Sequence, residues 1–235
     1  MKNTKNIFRI FVTVAIAVSM AFTMAACGDD GNGDDGVCTG THNWAWGTYE
    51  SGSGLRSCQN KNCTETAGIG DTGPGGGKIF YVETEKAGGF DVTSTTTAFT
   101  SYKAYYLEAA PANIDAVRWD NATVSSSSLD TDGILGSGRN NTHLMHEFEA
   151  LAARRCKEYR GPNNLEDWFL PSINELYEIL KQKSVVGITT GIFWSSTTFL
   201  NSIWAYDFSK DHQALDSIIE SNKTTARLIR AVRAF

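Results

Sequence analysis

The sequence predicts an α+β domain built on an antiparallel sheet. Two segments with helical periodicity are followed by segments in which apolar and polar residues alternate, as they do in half-buried strands. The chain has 22 glycines and only 4 prolines, a composition that suits a loop-rich antiparallel domain better than a helical bundle. Its 235 residues allow one full domain and a small module after removal of an export signal.

The N-terminus has the layout of a bacterial lipoprotein signal peptide over residues 1–26. Its first part is basic, residues 10–26 carry no charged side chain, and small residues flank Cys27. We expect cleavage before Cys27, lipidation of its thiol and anchoring in the cell envelope, at the outer membrane or the cell surface. One alternative is an uncleaved membrane helix, for which the apolar run is short. The other is an ordinary secretory signal without lipid.

The mature chain is predicted to be acidic, because the signal carries three basic residues and no acidic one. Its removal changes the formal net charge from −5 to −8, which argues against nucleic acid as a partner. Residues 27–36 (CGDDGNGDDG) are predicted to form a flexible acidic tether. A calcium loop starting at Asp30 is the alternative, but Asp35 stands where such a loop needs glycine and Thr41 where it needs an acid.

Residues 37–67 are predicted to form a small module rich in cysteine, histidine and tryptophan. Three thiols and one imidazole could supply a tetrahedral structural zinc site; these residues are Cys38, His42, Cys58 and Cys63. Because exported cysteines meet oxidants, a disulfide is the alternative. A third cysteine would then stay unpaired unless it joins Cys156, which lies on the apolar face of a predicted helix and fits a buried thiol.

The main domain begins with a turn cluster at residues 70–77 (GDTGPGGG), followed by a predicted strand at residues 78–82. A second strand is predicted over residues 104–109, where Pro111 stops it. Residues 125–139 are rich in serine and glycine and are predicted to form a polar loop.

Two helices are predicted in the middle of the domain. The first spans residues 142–159, because apolar residues recur there at helical spacing: Met145, Phe148, Ala152, Cys156 and Tyr159. The second begins after Ser172, since Ser172 and Glu175 have the spacing of a capping box, in which each side chain satisfies a free backbone donor.

The last part of the chain is predicted to consist of strands. Trp204, Tyr206 and Phe208 alternate with small or polar residues, as in a half-buried strand. Residues 209–212 are polar and are predicted to form a turn, and residues 228–235 are predicted to form one final strand.

Four blocks occur in a specific order, the last of them in two parts: residues 70–82 (GDTGPGGGKIFYV), 106–111 (YLEAAP), 167–176 (DWFLPSINEL), and 193–196 (FWSS) with 230–235 (RAVRAF). Together they resemble the C-terminal domain family of the Legionella collagen-like (Lcl) adhesins, a C-type-lectin-like domain found in bacterial lipoproteins. The resemblance covers residues 68–235. It implies an α+β domain whose N- and C-terminal strands pair, whose two helices flank the sheet, and which binds ligands such as glycans or host polymers.

Some lipoproteins of this type resemble targets of diversity-generating retroelements. In these proteins the stretch between the FWSS and RAVRAF parts of the last block varies. The matching stretch here is residues 197–229, and the resemblance implies that its exposed side chains form the binding face. The alternative for each residue is a place in the core or in an ordinary loop. The candidates are Phe199, Leu200, Asn201, Ser202, Tyr206, Asp207, Lys210, Asp211 and His212.

The sequence does not assemble an evident catalytic or calcium-dependent sugar site. The Glu-Pro-Asn and Trp-Asn-Asp runs of calcium-dependent lectins do not occur. His143 and His146 lack the His-Glu-x-x-His order of zinc proteases, and Ser195 and Ser196 lack a nucleophile elbow. Three arginines could bind an anionic ligand or pair with the domain's own carboxylates: Arg227, Arg230 and Arg233.

We therefore expect a membrane-anchored envelope lipoprotein with a lectin-like, non-enzymatic ligand-binding domain of adhesin or receptor type. Its expected partners are the membrane, through the lipid, and a glycan or protein ligand. No catalytic residue is predicted, and structural zinc in the 37–67 module is the one cofactor that the sequence suggests. The alternatives are an envelope enzyme with a fold like that of formylglycine-generating enzymes and a purely structural lipoprotein.

Overall fold

The computed structural model describes residues 42–44, 56–60, 65–83, 87–120, 129, 131–199, 202–211 and 216–235. Within these ranges, three helices and ten strands form an α+β fold, as the sequence predicts. The signal peptide, Cys27 and the tether lie outside the described residues. None of the described helices is long and apolar enough to cross a bilayer.

The strands are β1 (Lys78–Val82), β2 (Phe90–Val92), β3 (Tyr102–Ala104), β4 (Tyr106–Ala109), β5 (Ile114–Val117), β6 (Ile192–Phe199), β7 (Ser202–Asp207), β8 (Ile218–Ser221), β9 (Arg227–Ile229) and β10 (Val232–Ala234). The helices are α1 (Gly138–Glu147), α2 (Leu151–Glu158) and α3 (Ile173–Lys181). The strands form sheets in the orders β1-β4-β10, β2-β3 and β5-β9-β6-β7-β8. The five-stranded sheet is mixed rather than antiparallel as predicted, because β6 and β9 pair in parallel.

Strand β4 is the centre of the three-stranded sheet. Ala109 faces Lys78 of β1 on one side and Val232 of β10 on the other, and both pairings are antiparallel. All four residues of β4 are buried, as expected of a central strand. The expected direct pairing of the strand after the glycine cluster with the C-terminal strand is therefore wrong, because β4 lies between them.

The five-stranded sheet is covered by apolar side chains on both faces. Tyr206 and Phe208 pack into one core cluster, while Ile203 and Ala205 pack into a second cluster on the opposite face. The strand predicted from the alternation at residues 204–208 is present as β7. It is not half-buried, however, because Ala205, which the pattern assigned to solvent, is buried together with Ile203 on the same side of the strand.

The predicted final strand is divided into β9 and β10, which belong to different sheets. The break falls at Arg230 and Ala231, where Ala231 accepts a hydrogen bond from the N–H of Ala110 at 2.9 Å. The guanidinium of Arg230 donates to the carbonyl of Ala110 at 2.6 Å. At these contacts the chain leaves the five-stranded sheet and begins to pair with β4.

The first predicted helix is likewise divided, into α1 and α2. Between them Glu149 has a φ of +57°, a left-handed conformation that ends a regular helix. The turn leaves Phe148 38% exposed, so Phe148 does not share the apolar face predicted for it. Helix α1 also begins earlier than predicted and takes Gly138 and Arg139 out of the predicted polar loop.

Helix α3 begins as predicted, at a capping box. The N–H of Glu175 donates to Ser172 Oγ at 3.3 Å, and the N–H of Ser172 donates to Glu175 Oε2 at 2.7 Å. Glu175 Oε1 also accepts from the N–H of Gly136 at 2.9 Å. Burial raises the pKa of Glu175 to about 7, against the lowering effect of these donors. One carboxylate therefore ties the start of α3 to the turn before α1.

The described parts of the N-terminal module contact the main domain. Trp44 packs against a small cluster that includes Ala67, Tyr106 and Phe235, and the N–H of Arg56 donates to Tyr106 Oη at 2.9 Å. An antiparallel bridge between Trp44 and Cys58 connects the module's described segments. The module and the sheet that contains β4 thus share buried surface.

Candidate functional site

Four charged or glycine-containing segments meet in a buried cluster beside β4, which we call the frame cluster: Gly75, Gly77, Glu108, Asp167 and Arg233. Arg233 Nη1 donates to Glu108 Oε1, and its Nε and Nη2 donate to Asp167 at 2.6 and 2.8 Å. The N–H groups of Gly75 and Gly77 donate to the two oxygens of Glu108 at 2.8 and 3.1 Å. Burial raises the pKa of Glu108, and the positive charge of Arg233 acts in the opposite direction.

The frame cluster joins residues that are far apart in sequence. Each of the four blocks behind the family resemblance supplies at least one residue of the frame cluster. In the last block this residue comes from the RAVRAF part and not from the FWSS part. That part instead anchors β6, since Ser196 accepts a hydrogen bond from Asn141 Nδ2 at 3.2 Å. The blocks therefore share a structural role: they fix the sheets and helices relative to one another.

The three C-terminal arginines do different things. Arg233 pairs with two carboxylates of the domain, which is the second of the two roles predicted for it. Arg230 donates to the carbonyls of Ala110 and Val186, and burial lowers its pKa to about 10. Arg227 Nε donates to Ser221 Oγ at 3.2 Å. These contacts do not bring the three guanidinium groups together around one ligand position.

The predicted binding-face residues fall at two ends of β7. Phe199 and Ser202 face each other where β6 turns into β7, whereas Asp207, Lys210 and Asp211 follow the other end. A six-residue strand separates these ends by roughly 17 Å. The structure therefore does not gather these candidates in one compact patch. Leu200, Asn201 and His212 lie outside the described residues.

Tyr206 is not part of any exposed face. It is only 3% exposed and its ring packs beside Tyr177 and Phe208. The prediction of Tyr206 as a surface contact is wrong, because the side of β7 that carries it faces a core rather than solvent. At the far end, Lys210 Nζ pairs with Asp216 at 2.6 Å in solvent, a contact of small energetic weight.

The zinc and disulfide hypotheses for the module both remain predictions. Cys38 and Cys63 lie outside the described residues. His42 stacks on Trp44 at 4.6 Å and lies 3.4 Å from Glu65 Oε2. The described residues contain no group of three side chains that could hold a metal ion. Cys156 is buried and forms no disulfide, as expected of a structural thiol.

A polar cavity of about 330 Å³ lies beside the frame cluster. Helix α1 contributes Arg139 and His143, and α2 contributes Lys157, while Asp167 and Trp168 line another wall. Sequence reasoning had singled out His143 for its spacing to His146, but His146 does not line this cavity. It missed Arg139 and Lys157, since Arg139 fell in a predicted loop and no sequence pattern connects it to Lys157.

No family model matches this chain, and no curated protein matches it. Its function is therefore inferred from the geometry of its own side chains.

Proposed function

We propose that the chain is a non-enzymatic, lipid-anchored envelope protein that binds a glycan or protein ligand. Its domain at residues 68–235 would have a C-type-lectin-like fold, and the ligand would contact the end of the β6–β7 hairpin. We call this end the hairpin tip and define it by Phe199, Ser202 and Glu220. The resemblance carried by the four sequence blocks supports the fold, and the sequence around Cys27 supports the anchor.

The change in burial along β6 is the observation that carries the proposal. Residues 193–198 are all buried, and the next residue, Phe199, is 42% exposed. Because the strand is fixed in the core over six residues, the aromatic ring at its end is already held in place and loses little conformational entropy when a ligand binds. Binding surfaces are commonly built in this way, from loop residues held by a rigid scaffold.

The chemistry of the hairpin tip suits a sugar or a polar protein surface. Ser202 Oγ donates to Glu220 Oε1 at 2.6 Å, in an exposed position next to Phe199. An aromatic ring can cover an apolar sugar face, while a hydroxyl and a carboxylate bind its hydroxyl groups. Aromatic anchors surrounded by polar groups also dominate the energetics of protein interfaces.

A glycan and protein array with the full-length protein tests the hairpin tip. We expect Phe199→Ser to weaken binding to any ligand found by at least about 10-fold, because it removes the aromatic anchor. Phe148→Ser is the matched control, since Phe148 is also an exposed phenylalanine, at 38%, and lies outside the tip. Binding by the control should stay within about twofold of wild type.

Three outcomes contradict the proposal. Equal binding by wild type and Phe199→Ser would place the contact elsewhere. Chemical conversion of a bound ligand, detected by mass spectrometry, would favour the enzyme alternative. A folded protein that binds nothing on the arrays would favour the structural lipoprotein.

The anchor has its own test. Metabolic labelling with an alkyne-bearing fatty acid should label the wild-type chain in membranes and leave Cys27→Ala unlabelled, because its thiol is the proposed attachment point. The intact mass of the purified wild-type protein should correspond to a chain that starts at Cys27 and carries acyl groups. Equal labelling of Cys27→Ala, or an unmodified mature chain, would rule out the lipoprotein assignment.

A further inference from the structure

The polar cavity described above has features of a binding site that the proposed hairpin tip does not explain. It lies between α1, α2 and the segment at residues 166–169, and none of the hairpin-tip residues lines it. Its volume of about 330 Å³ is at the lower end of the range for small-molecule pockets. The groups on its wall decide what kind of molecule it can hold.

Arg139 lines the cavity and keeps one side-chain donor without a partner among the described residues. Its Nη1 donates to Tyr102 Oη at 3.1 Å, and its guanidinium lies 4.4 Å from the ring centre of Phe99. These contacts hold the group in place. Its Nε, however, is buried and has no hydrogen-bond partner in the described part of the chain. The edge that carries Nε is the one through which arginine commonly binds a carboxylate or phosphate with two parallel hydrogen bonds.

Lys157 adds a second positive charge on the cavity wall. Its Nζ lies 3.2 Å from His143 Nδ1. Burial, Lys157 and Arg139 lower the pKa of His143 to about 4, so the imidazole is neutral near pH 7 and accepts a hydrogen bond from the ammonium. An ammonium group has three donors, so Lys157 keeps two for another partner.

The carboxylates at the cavity do not neutralise these two cations. Asp167 accepts two hydrogen bonds from Arg233. Glu166 has a side chain that is 81% exposed, and its ion-pair partner is Arg160, at 3.7 Å. Trp168 also lines the cavity, and its indole N–H has no hydrogen-bond partner among the described residues. The wall therefore offers two cations and spare donors, while its two carboxylates are paired with Arg233 and Arg160.

We propose that this cavity binds a small ligand, of monosaccharide or amino-acid size, through a carboxylate or phosphate group. Arg139 holds the oxyanion with its free edge, and Lys157 donates to the same group or to a neighbouring oxygen. The site is separate from the hairpin tip, so it does not depend on the function proposed for the tip.

Isothermal titration of the full-length protein in a non-ionic detergent tests the cavity with three hexoses that differ in charge. Glucuronate carries a carboxylate, glucose 6-phosphate carries a phosphate, and glucose is the neutral control. We expect at least one of the two anionic hexoses to bind, and the stronger of the two identifies the preferred group. Failure of both to bind at concentrations up to about 10 mM, or equal binding of glucose, would overturn the proposal.

Variants of the cavity wall complete the test. Arg139→Lys keeps the charge but removes the two-donor edge, and we expect about 10-fold weaker binding or more. Lys157→Gln should weaken binding about 5-fold. Arg155→Gln is the matched control, because Arg155 is a half-exposed cation on the same helix and does not line the cavity. Its binding should match wild type.

Lys157→Gln keeps the test decisive if Arg139→Lys does not fold, because Lys157 lies on the surface of α2 and is only partly buried. Wild-type binding by a folded Lys157→Gln protein and a folded Arg139→Lys protein would show that the anion binds elsewhere. Equal losses in Lys157→Gln and Arg155→Gln would show a general effect of net charge, and this also overturns the proposal.

Discussion

Arg233→Met is expected to lower the free energy of unfolding by about 3–5 kcal/mol. The substitution removes a guanidinium that is 0% exposed and leaves Glu108, also 0% exposed, without its cation. Asp167 loses two hydrogen bonds in the same step. Breaking a buried pair costs this much because the remaining carboxylate has no water and no opposite charge beside it, even though Glu108 keeps the N–H donors of Gly75 and Gly77. Urea denaturation followed by tryptophan fluorescence measures the loss.

Arg154→Met is the control for this prediction. Arg154 pairs with Glu158 at 3.7 Å on the surface of α2, where both side chains are about half exposed. Its replacement should change the free energy of unfolding by less than about 1 kcal/mol. If Arg233→Met were as mild as Arg154→Met, the frame cluster would contribute little to the stability of the domain.

Gly75→Ala is expected to destabilise the protein by about 3 kcal/mol. A Cβ at this position would lie 2.6 Å from Glu108 Oε1, 2.6 Å from Trp168 Cζ2 and 2.9 Å from Arg233 Nη1. All three neighbours are buried side chains, so none can move aside into solvent. The same urea experiment measures the loss.

Gly68→Ala is the matched control. A Cβ at Gly68 has only one neighbour within van der Waals range, Asp71 Oδ2 at 4.0 Å. This substitution should leave the free energy of unfolding unchanged or raise it by up to about 1 kcal/mol, since alanine restricts the unfolded chain. A Gly75→Ala protein as stable as Gly68→Ala would mean that the glycine cluster does not pack against the frame cluster.

Local signals in the sequence predicted the elements that depend on local chemistry. The start of α3 follows from Ser172 and Glu175, which satisfy each other's backbone donors within one turn. The split between α1 and α2 could not be predicted, because Glu149 adopts a left-handed conformation without a glycine to indicate it. The position of β4 between β1 and β10 depends on pairing across more than a hundred residues, which no local pattern records.

The candidate sites also differ in whether local sequence or tertiary structure reveals them. The family resemblance placed both Phe199 and Tyr206 on the binding face, but only Phe199 is exposed. The alternation at residues 204–208 put Tyr206 on the buried side of its strand, as in the structure, but alternation alone does not reveal that the opposite side, with Ala205, is covered as well. Arg139 and Lys157 become neighbours in the cavity wall only when α1 packs against α2. Sites built from side chains on different helices can be found only in the tertiary structure.

We expect the frame cluster to act as one unit, and a double-mutant cycle between Gly75→Ala and Arg233→Met tests this most directly. If the two residues belong to one cluster, removing the guanidinium of Arg233 relieves the crowding around the methyl group that Gly75→Ala introduces. The double variant should then lose about 1–3 kcal/mol less than the sum of the two single losses. Losses that add to within about 0.5 kcal/mol would show that the two blocks act independently and would contradict this account of the scaffold.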